Sequence, residues 1–235
     1  MNRFWEFKAQ AEGEGALYIY SEISDTTWYG DEVTPKEFQK ELDALGSIHT
    51  LHIYINSPGG DVFAGHAIYT MIKRCTAKTI AHIDGVAASI ASVIPMAADK
   101  VIMPENAMMM IHLPGAGGFG NSIEHRKIAD TLDKVTESMI AAYLGKAKSL
   151  TREKLASILE EETWLTASEC LEYGFADEVE QGAKAVARLN AEYAKRYLHP
   201  PERLLEFAAK SNDEMEQRQE IMRRNTEFME RRKKI

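Results

Sequence analysis

Stretches of strict apolar/polar alternation take turns with stretches of three-and-four spacing along this chain, and the two periods predict its elements. "GALYIYSEI" and "TLHIYINS" alternate and are rich in Tyr and Ile, so both read as strands with one face buried. Between them, after the loop "SDTTWYGDE", "TPKEFQKELDAL" predicts a helix with Thr34 as N-cap, Pro35 at the first helical position and Gly46 just past the end. "PGGDVFAGHAIYTMIKRC" reads as a glycine-rich turn into a helix whose Val62, Ile68, Met71 and Ile72 share a face. "AKTIAHID" is a third strand, "GVAASIASVIPMAAD" a small-residue helix, and "KVIMPE" and "AMMMIHL" are short strands.

The second half is more helical. From Ser122 to Lys148, Ile128, Leu132, Val135, Met139 and Tyr143 recur at spacings of three and four in a polar setting, which predicts one long helix projecting from a small core. "TREKLASILEEE" is a further helix, "TASECLEYG" carries a capping box in Thr166 and Glu169 with Gly174 as its stop, and "FADEVEQ" closes as a strand or edge segment. Strand and helix alternating in this order imply an α/β fold with a mostly parallel sheet, crossover helices and ligands at the carboxyl ends of the strands. The expected organisation is an N-terminal extension over 1–16, one main domain over 17–182, a linker or helix over 183–198, and a charged arm over 199–235. That arm reads as an exposed helix or a partly disordered segment, because its apolar residues are sparse among charges of both signs.

Composition narrows the function. A chain of 235 residues suits one domain with appendages. A net charge of −8 argues against a nucleic-acid surface, which needs a concentrated positive face. No apolar run approaches the ~18 residues of a membrane span, and "MNRFWEFKAQAEGEGA" lacks the apolar core of a signal peptide, so a cytoplasmic protein is expected. Cys75 and Cys170 are the two cysteines, with no CxxC and no histidine at zinc spacing, and both read as reduced core thiols. No metal and no cofactor are implied.

Two glycine turns carry the chemistry. A glycine-rich turn from strand into helix exposes backbone N–H groups at the positive end of a helix dipole, and "NSPGGD" does this at Gly59 and Gly60. "DGVAAS" repeats the arrangement, with a strand expected to end near Asp84, a tight turn at Gly85 and Ser89 at a helix start. A hydroxyl beside a backbone amide is what acyl transfer asks of a nucleophile, although a serine there also simply caps or packs a helix. His112 ends the apolar run "MMMIHLPGAGG", where it is either a base or a satisfied core histidine. His52, His66, His82 and His125 are its competitors, in less informative settings.

"YINSPGG", "DGVAAS", "MIHLPGAGG" and "TWLTASECLEYGFADEV", in that order, resemble the proteolytic subunit of the Clp protease family over roughly Leu17 to Glu180. "SEISDTTWYGDEVTPKEFQKELDAL" and "EETWLTA" are most similar to the Clp-like head-maturation proteases of tailed phages and prophages. The resemblance implies a Clp protease/crotonase-like fold with a projecting handle helix, and a serine endopeptidase of broad specificity. Ser89 would attack the peptide carbonyl and His112 would take its proton, while Ser92, one turn on, would be a packing residue. The N–H groups of Gly60 and Ile90 would form the oxyanion hole. The family's third member is an aspartate, and the matching position here is Glu162. Its extra methylene changes the reach, so Glu161 or another carboxylate is an alternative, as is a merely solvated "EEE" helix end.

The spacing of 23 from Ser89 to His112 is slightly shorter than the family's, which puts a small deletion near Pro104–Asn106. Gly115, Gly117, Gly118 and Phe119 resemble the glycine-rich strand that pairs with an extended substrate. The resemblance further implies polypeptide substrates and a homo-oligomer of stacked rings, fourteen subunits in the implied count, that encloses its sites in a chamber. An ATPase unfoldase or a capsid or scaffold protein is the implied partner, with neither nucleic acid nor membrane. If His112 is the base, activity should rise through the imidazole range near ~6 to 7. Two other readings stay open: a crotonase-type acyl-CoA enzyme on the same core, and a catalytically idle ring whose C-terminal arm binds a scaffold.

Overall fold

The computed structural model describes residues 4–10, 13–24, 35–181 and 196–201. The chain divides into two compact units, Met1–Ala187 and Arg188–Ile235. The second contributes only 196–201 to the description, so most of the expected linker and charged arm lies outside the described residues. The loop over 25–32 and the Thr34 cap do as well.

Among the described residues of the first unit there are eight strands and six helices: β1 (Trp5–Ala9), β2 (Glu14–Ile19), α1 (Pro35–Ala44), β3 (Thr50–Ser57), α2 (Val62–Arg74), β4 (Lys78–Ala88), α3 (Ile90–Val93), a 3-10 turn (Ile94–Ala97), β5 (Lys100–Pro104), β6 (Met108–Ile111), α4 (Ser122–Lys146), α5 (Arg152–Glu160), β7 (Thr163–Thr166), α6 (Ala167–Tyr173) and β8 (Glu178–Glu180). All the strands lie in one sheet of order β1-β2-β3-β4-β5-β8, with β6 leaving this path to pair with β4 and β7. The pairs β2/β3, β3/β4, β4/β5, β4/β6 and β5/β8 are parallel, while β1/β2 and β6/β7 are antiparallel. This is the mostly parallel α/β architecture that the element order predicts.

Two differences from the expected elements matter. β1 comes from the stretch read as an N-terminal extension: Phe4 and Trp5 are buried, and Trp5 packs edge-on against Phe38 of α1. Five residues hold too few alternating apolar positions to announce a strand, and it is the packing on Phe38 that fixes them. The second difference lies at the centre of the sheet. β4 does not end near Asp84, and no turn forms at Gly85, because the strand runs on to Ala88. It exchanges partners on the way, pairing with β5 over Ile80–His82 and with β6 over Val86–Ala88. Periodicity cannot separate a buried run of Gly, Val and Ala from a helix, and here the two partners on one edge settle it as strand.

One sheet face packs on the helices, with Ile53, Ile55, Ala81 and Ile83 fully buried among Ile68, Ile72, Ile90 and Val93. On the opposite face Tyr18 stacks on Tyr54, Tyr54 on His82, and His82 on His52. α4 is about 37 Å long by its residue count. Only Met139, Ile140, Ala142 and Tyr143 near its end are buried, while Ile123 at its start is 62% exposed. The helix therefore projects, as the resemblance implies. Its start is fixed by an Asn121–Glu124 capping box and its root by the core.

Candidate active site

Three neighbouring strands bring the site together at one end of the sheet. β4 runs into Ser89, and the Ser89 N–H donates to the Met110 carbonyl of β6 at 2.9 Å. β6 ends one residue before His112. β7 begins one residue after Glu162 and pairs antiparallel with β6, with Ile111 opposite Thr163. The next step in that register sets His112 against Glu162. Nucleophile candidate, base candidate and carboxylate thus come from adjacent strands, and the antiparallel turn of β7 brings its first residue to the end where β4 and β6 finish.

Ser89 Oγ lies 2.8 Å from His112 Nε2, hydrogen-bond distance for a hydroxyl and a base. Ser89 has φ 55 and ψ −132, in the positive-φ region that non-glycine residues rarely adopt. Such strain costs about 1–3 kcal/mol and survives only where the surroundings enforce it. A sharp, strained turn from strand into helix is also how a hydroxyl is lifted clear of a buried sheet end.

The glycine turn meets Ser89 from β3. A Cβ on Gly59, whose φ is 96, would stand 2.7 Å from both the Ala88 carbonyl and Ser89 Cβ. A Cβ on Gly60, φ 143, would stand 2.0 Å from the Ile23 carbonyl. Both positions therefore need glycine. The bridge between Ile23 and this turn uses the Gly59 carbonyl and the Asp61 N–H, and it makes no use of the Gly60 N–H. Ile90 is the first residue of α3, so its N–H has no partner within that helix. Gly65 of α2 completes this wall, since a Cβ there would lie 2.3 Å from Ile90 Cγ1. Sequence reading missed both the contact of Gly59 with Ser89 and the closeness of Gly65 to Ile90. Only the crowding of three elements reveals them.

Burial holds the His112 imidazole below its usual pKa, and the Glu162 carboxylate opposes that by favouring the charged form. Glu162 is 7% exposed and has φ 49, just past the end of α5. The solvated-helix-end reading fails for this member of "EEE" and holds for the others. Glu160 and Glu161 are exposed, and Glu161 accepts a bond from Ser157 Oγ at 3.1 Å. The Leu113 N–H donates to the Leu159 carbonyl at 3.1 Å, tying the His112 segment to α5 where Glu162 emerges. The connection from β5 to β6 is three residues long, and in it the Ala107 N–H donates to the Pro104 carbonyl at 2.9 Å.

Other candidates fall elsewhere. His52 and His82 face each other on the opposite side of the sheet, with ring nitrogens 3.1 Å apart. His66 is on α2 and His125 on α4. The segment with Gly115, Gly117, Gly118 and Phe119 is not a strand in the single subunit. It is exposed, and Phe119 is fully open to solvent. Ser92 is more than a packing residue, which corrects the sequence reading. It is fully buried, donates its hydroxyl to the Ser89 carbonyl, and lies 2.7 Å from the Tyr143 hydroxyl. The partner that gives it this role is 51 positions away, beyond any local pattern.

Among the described residues, no group of three or more His, Cys, Asp or Glu is placed to hold a metal ion, and no helix is long and apolar enough to cross a membrane. Both cysteines are free, and burial pushes the Cys170 thiol up, away from reactivity.

The sequence model of the Clp protease family matches residues 36–183. The "ATP-dependent Clp protease proteolytic subunit" of Streptococcus pneumoniae, in strains Hungary19A-6, CGSP14 and ATCC BAA-255 / R6, is 34% identical over 142 residues, covering 59% of this chain and 72% of the relative. A family match over more than half of the chain, on a mostly parallel sheet that sets a strained serine against a histidine, identifies the chain as a member of the Clp protease family, a Clp-type serine peptidase.

Proposed function

We propose that the chain is an endopeptidase in which Ser89 is the nucleophile, His112 the general base and then general acid, and Glu162 the carboxylate that orients His112. The observation that carries this reading is the 2.8 Å contact between Ser89 Oγ and His112 Nε2 at a strained strand-to-helix turn. In the first step, Ser89 Oγ forms a bond to the scissile carbonyl carbon while its proton passes to His112 Nε2. The carbonyl electrons move to oxygen, where the Gly60 and Ile90 N–H groups receive the charge. Collapse of that intermediate breaks the C–N bond, and the proton on His112 goes to the leaving amine. Water then enters by the same sequence and frees Ser89.

Glu162 fits the acid role because it is buried against solvent and its charge favours the imidazolium that this sequence creates. The substrate is an extended polypeptide lying along Gly115, Gly117, Gly118 and Phe119, whose open backbone offers main-chain hydrogen bonds to many sequences alike. The projecting, half-apolar α4 is the surface by which subunits meet in stacked rings. The pneumococcal relatives are named as ATP-dependent, so an ATPase that delivers unfolded chains is the partner to seek. The likeness to phage and prophage enzymes makes capsid and scaffold proteins the first substrates to try, and the host cytoplasm the place of action.

The test is cleavage of an unfolded protein without ATP by wild type, Ser89→Ala and Glu162→Gln. Loss of cleavage in Ser89→Ala with an unchanged assembly size supports the reading, and wild-type cleavage by Ser89→Ala would overturn it.

A further inference from the structure

We infer that Ser92 and Tyr143 are positioning residues of the oxyanion hole, acting in series from the root of α4 to aim the Ile90 N–H at the cleft. This rests on the reading of Ser89 as nucleophile and Ile90 as oxyanion donor.

The geometry is that of one peptide plane. The Ser89 carbonyl and the Ile90 N–H belong to the same planar trans unit, so they point in opposite directions and turn together. The Ser89 carbonyl is drawn inward by two donors of the next turn, the Ser92 N–H at 2.9 Å and the Ser92 hydroxyl. Holding that oxygen toward the core holds the Ile90 N–H toward the cleft. Ser89 has φ 55, so the backbone does not settle in this orientation by itself and needs outside restraint. The Ser89 N–H bond to the Met110 carbonyl fixes the other side of the residue, and the Ser92 hydroxyl adds to the backbone bonds that the first turn of α3 directs at the Ser89 carbonyl.

Counting protons sets the direction of the chain. Ser92 has one hydroxyl proton, and the Ser89 carbonyl can only accept, so Ser92 gives that proton to Ser89. The bond of 2.7 Å to Tyr143 then runs from the phenol to Ser92. Burial raises the Tyr143 pKa, so the phenol keeps its proton and remains a donor throughout the working range. A donor onto Ser92 makes the Ser92 hydroxyl a better donor in turn, and a bond to an amide oxygen strengthens the N–H of the same amide. Ser92 and Tyr143 are both fully buried, so water cannot replace either partner. Tyr143 is one of the four buried residues that anchor α4, which makes the projecting helix the support of the oxyanion donor.

The experiment compares Ser92→Ala, Tyr143→Phe and the double variant with wild type and Ser89→Ala. Cleavage of a fluorogenic peptide is measured, and active sites are counted with a fluorophosphonate so that kcat is expressed per labelled site. Ser92→Ala is expected to lower kcat per site by about 10- to 100-fold with KM unchanged, since it misdirects one oxyanion donor. Tyr143→Phe is expected to lower it by about 2- to 10-fold, and the double variant to be no worse than Ser92→Ala, because the residues act in series. The pH dependence of kcat/KM should keep its wild-type midpoint, as His112 is untouched.

A purely structural role would reduce the labelled fraction and leave kcat per site at the wild-type value, and that result overturns the inference. If Ser92→Ala does not fold, the near-isosteric Tyr143→Phe decides alone, and an unchanged kcat per site there also overturns it. Ser89→Ala separates the two levels: an active Ser89→Ala contradicts the serine reading itself, whereas an inactive Ser89→Ala beside fully active Ser92 and Tyr143 variants contradicts only the positioning.

Discussion

Gly59 stands so close to Ser89 that a methyl group on it would lie 2.7 Å from the Ser89 Cβ, well inside van der Waals contact. The strained serine turn and the glycine turn thus brace each other, and neither can take a larger residue without moving the other.

Gly59→Ala is accordingly expected to cost stability and activity together. It adds left-handed strain at φ 96 to a clash with backbone at Ala88, for a combined loss of about 2–4 kcal/mol. Gly46→Ala is the control. Its φ is 73, but nothing lies within 4 Å, so strain alone applies and about 1–2 kcal/mol is expected without loss of kcat. Thermal melting and peptide cleavage of the two variants check the contrast.

The pH profile follows from His112. Burial is the larger influence and lowers its pKa, so the neutral base form persists below the ordinary imidazole value of 6.5. Activity is expected to rise with pH through a midpoint below 6.5, which sharpens the range read from sequence. Glu162→Gln removes a charge that holds this pKa up, so the acid limb should move further down while the plateau falls by about 10²- to 10⁴-fold. Rates of peptide cleavage from pH 4 to 8 for both proteins test the sign.

How much of this was legible beforehand depends on the range of each interaction. "TLHIYINS" announced β3 because alternation is local, and the Thr166–Glu169 capping box and Gly174 stop of α6 were readable for the same reason. "GVAAS" was misread as turn and helix start because Val86, Ala87 and Ala88 are buried on both faces and carry no period. Its identity as strand depends on β6, more than twenty residues later. Glu162 was matched to the third member through the resemblance, with Glu161 and a solvated helix end as the alternatives. Only the end of α5 and the register of β7 on β6 turn it inward while Glu160 and Glu161 stay out. Ser92 read as filler because its partner Tyr143 lies in another element. Ser89 and His112 were recognised through ordered motifs, whereas their 2.8 Å approach is a product of strand pairing.

A second pH effect should appear in stability. Burial first, then His52 and Lys100, lower the His82 pKa to about 4. In the unfolded chain this group takes up its proton near pH 6.5, and in the folded protein only near 4, so between these values the unfolded state binds more protons. Stability contributed by neutral His82 is present above pH 6.5 and is lost as the pH falls toward 4. Because the ring is partly exposed, screening reduces the loss to about 1–2 kcal/mol. Urea unfolding at pH 7 and pH 4.5 should show a smaller difference in His82→Gln than in wild type. Some slope should remain, because burial lowers the His66 and His112 pKa values as well.

The most direct test of the central claim is to treat the folded protein with a fluorophosphonate and locate the adduct by mass spectrometry, beside peptide cleavage by Ser89→Ala. A single adduct on Ser89, absent from an inactive Ser89→Ala, is the expected result. An adduct on another residue, or cleavage by Ser89→Ala at the wild-type rate, would contradict it.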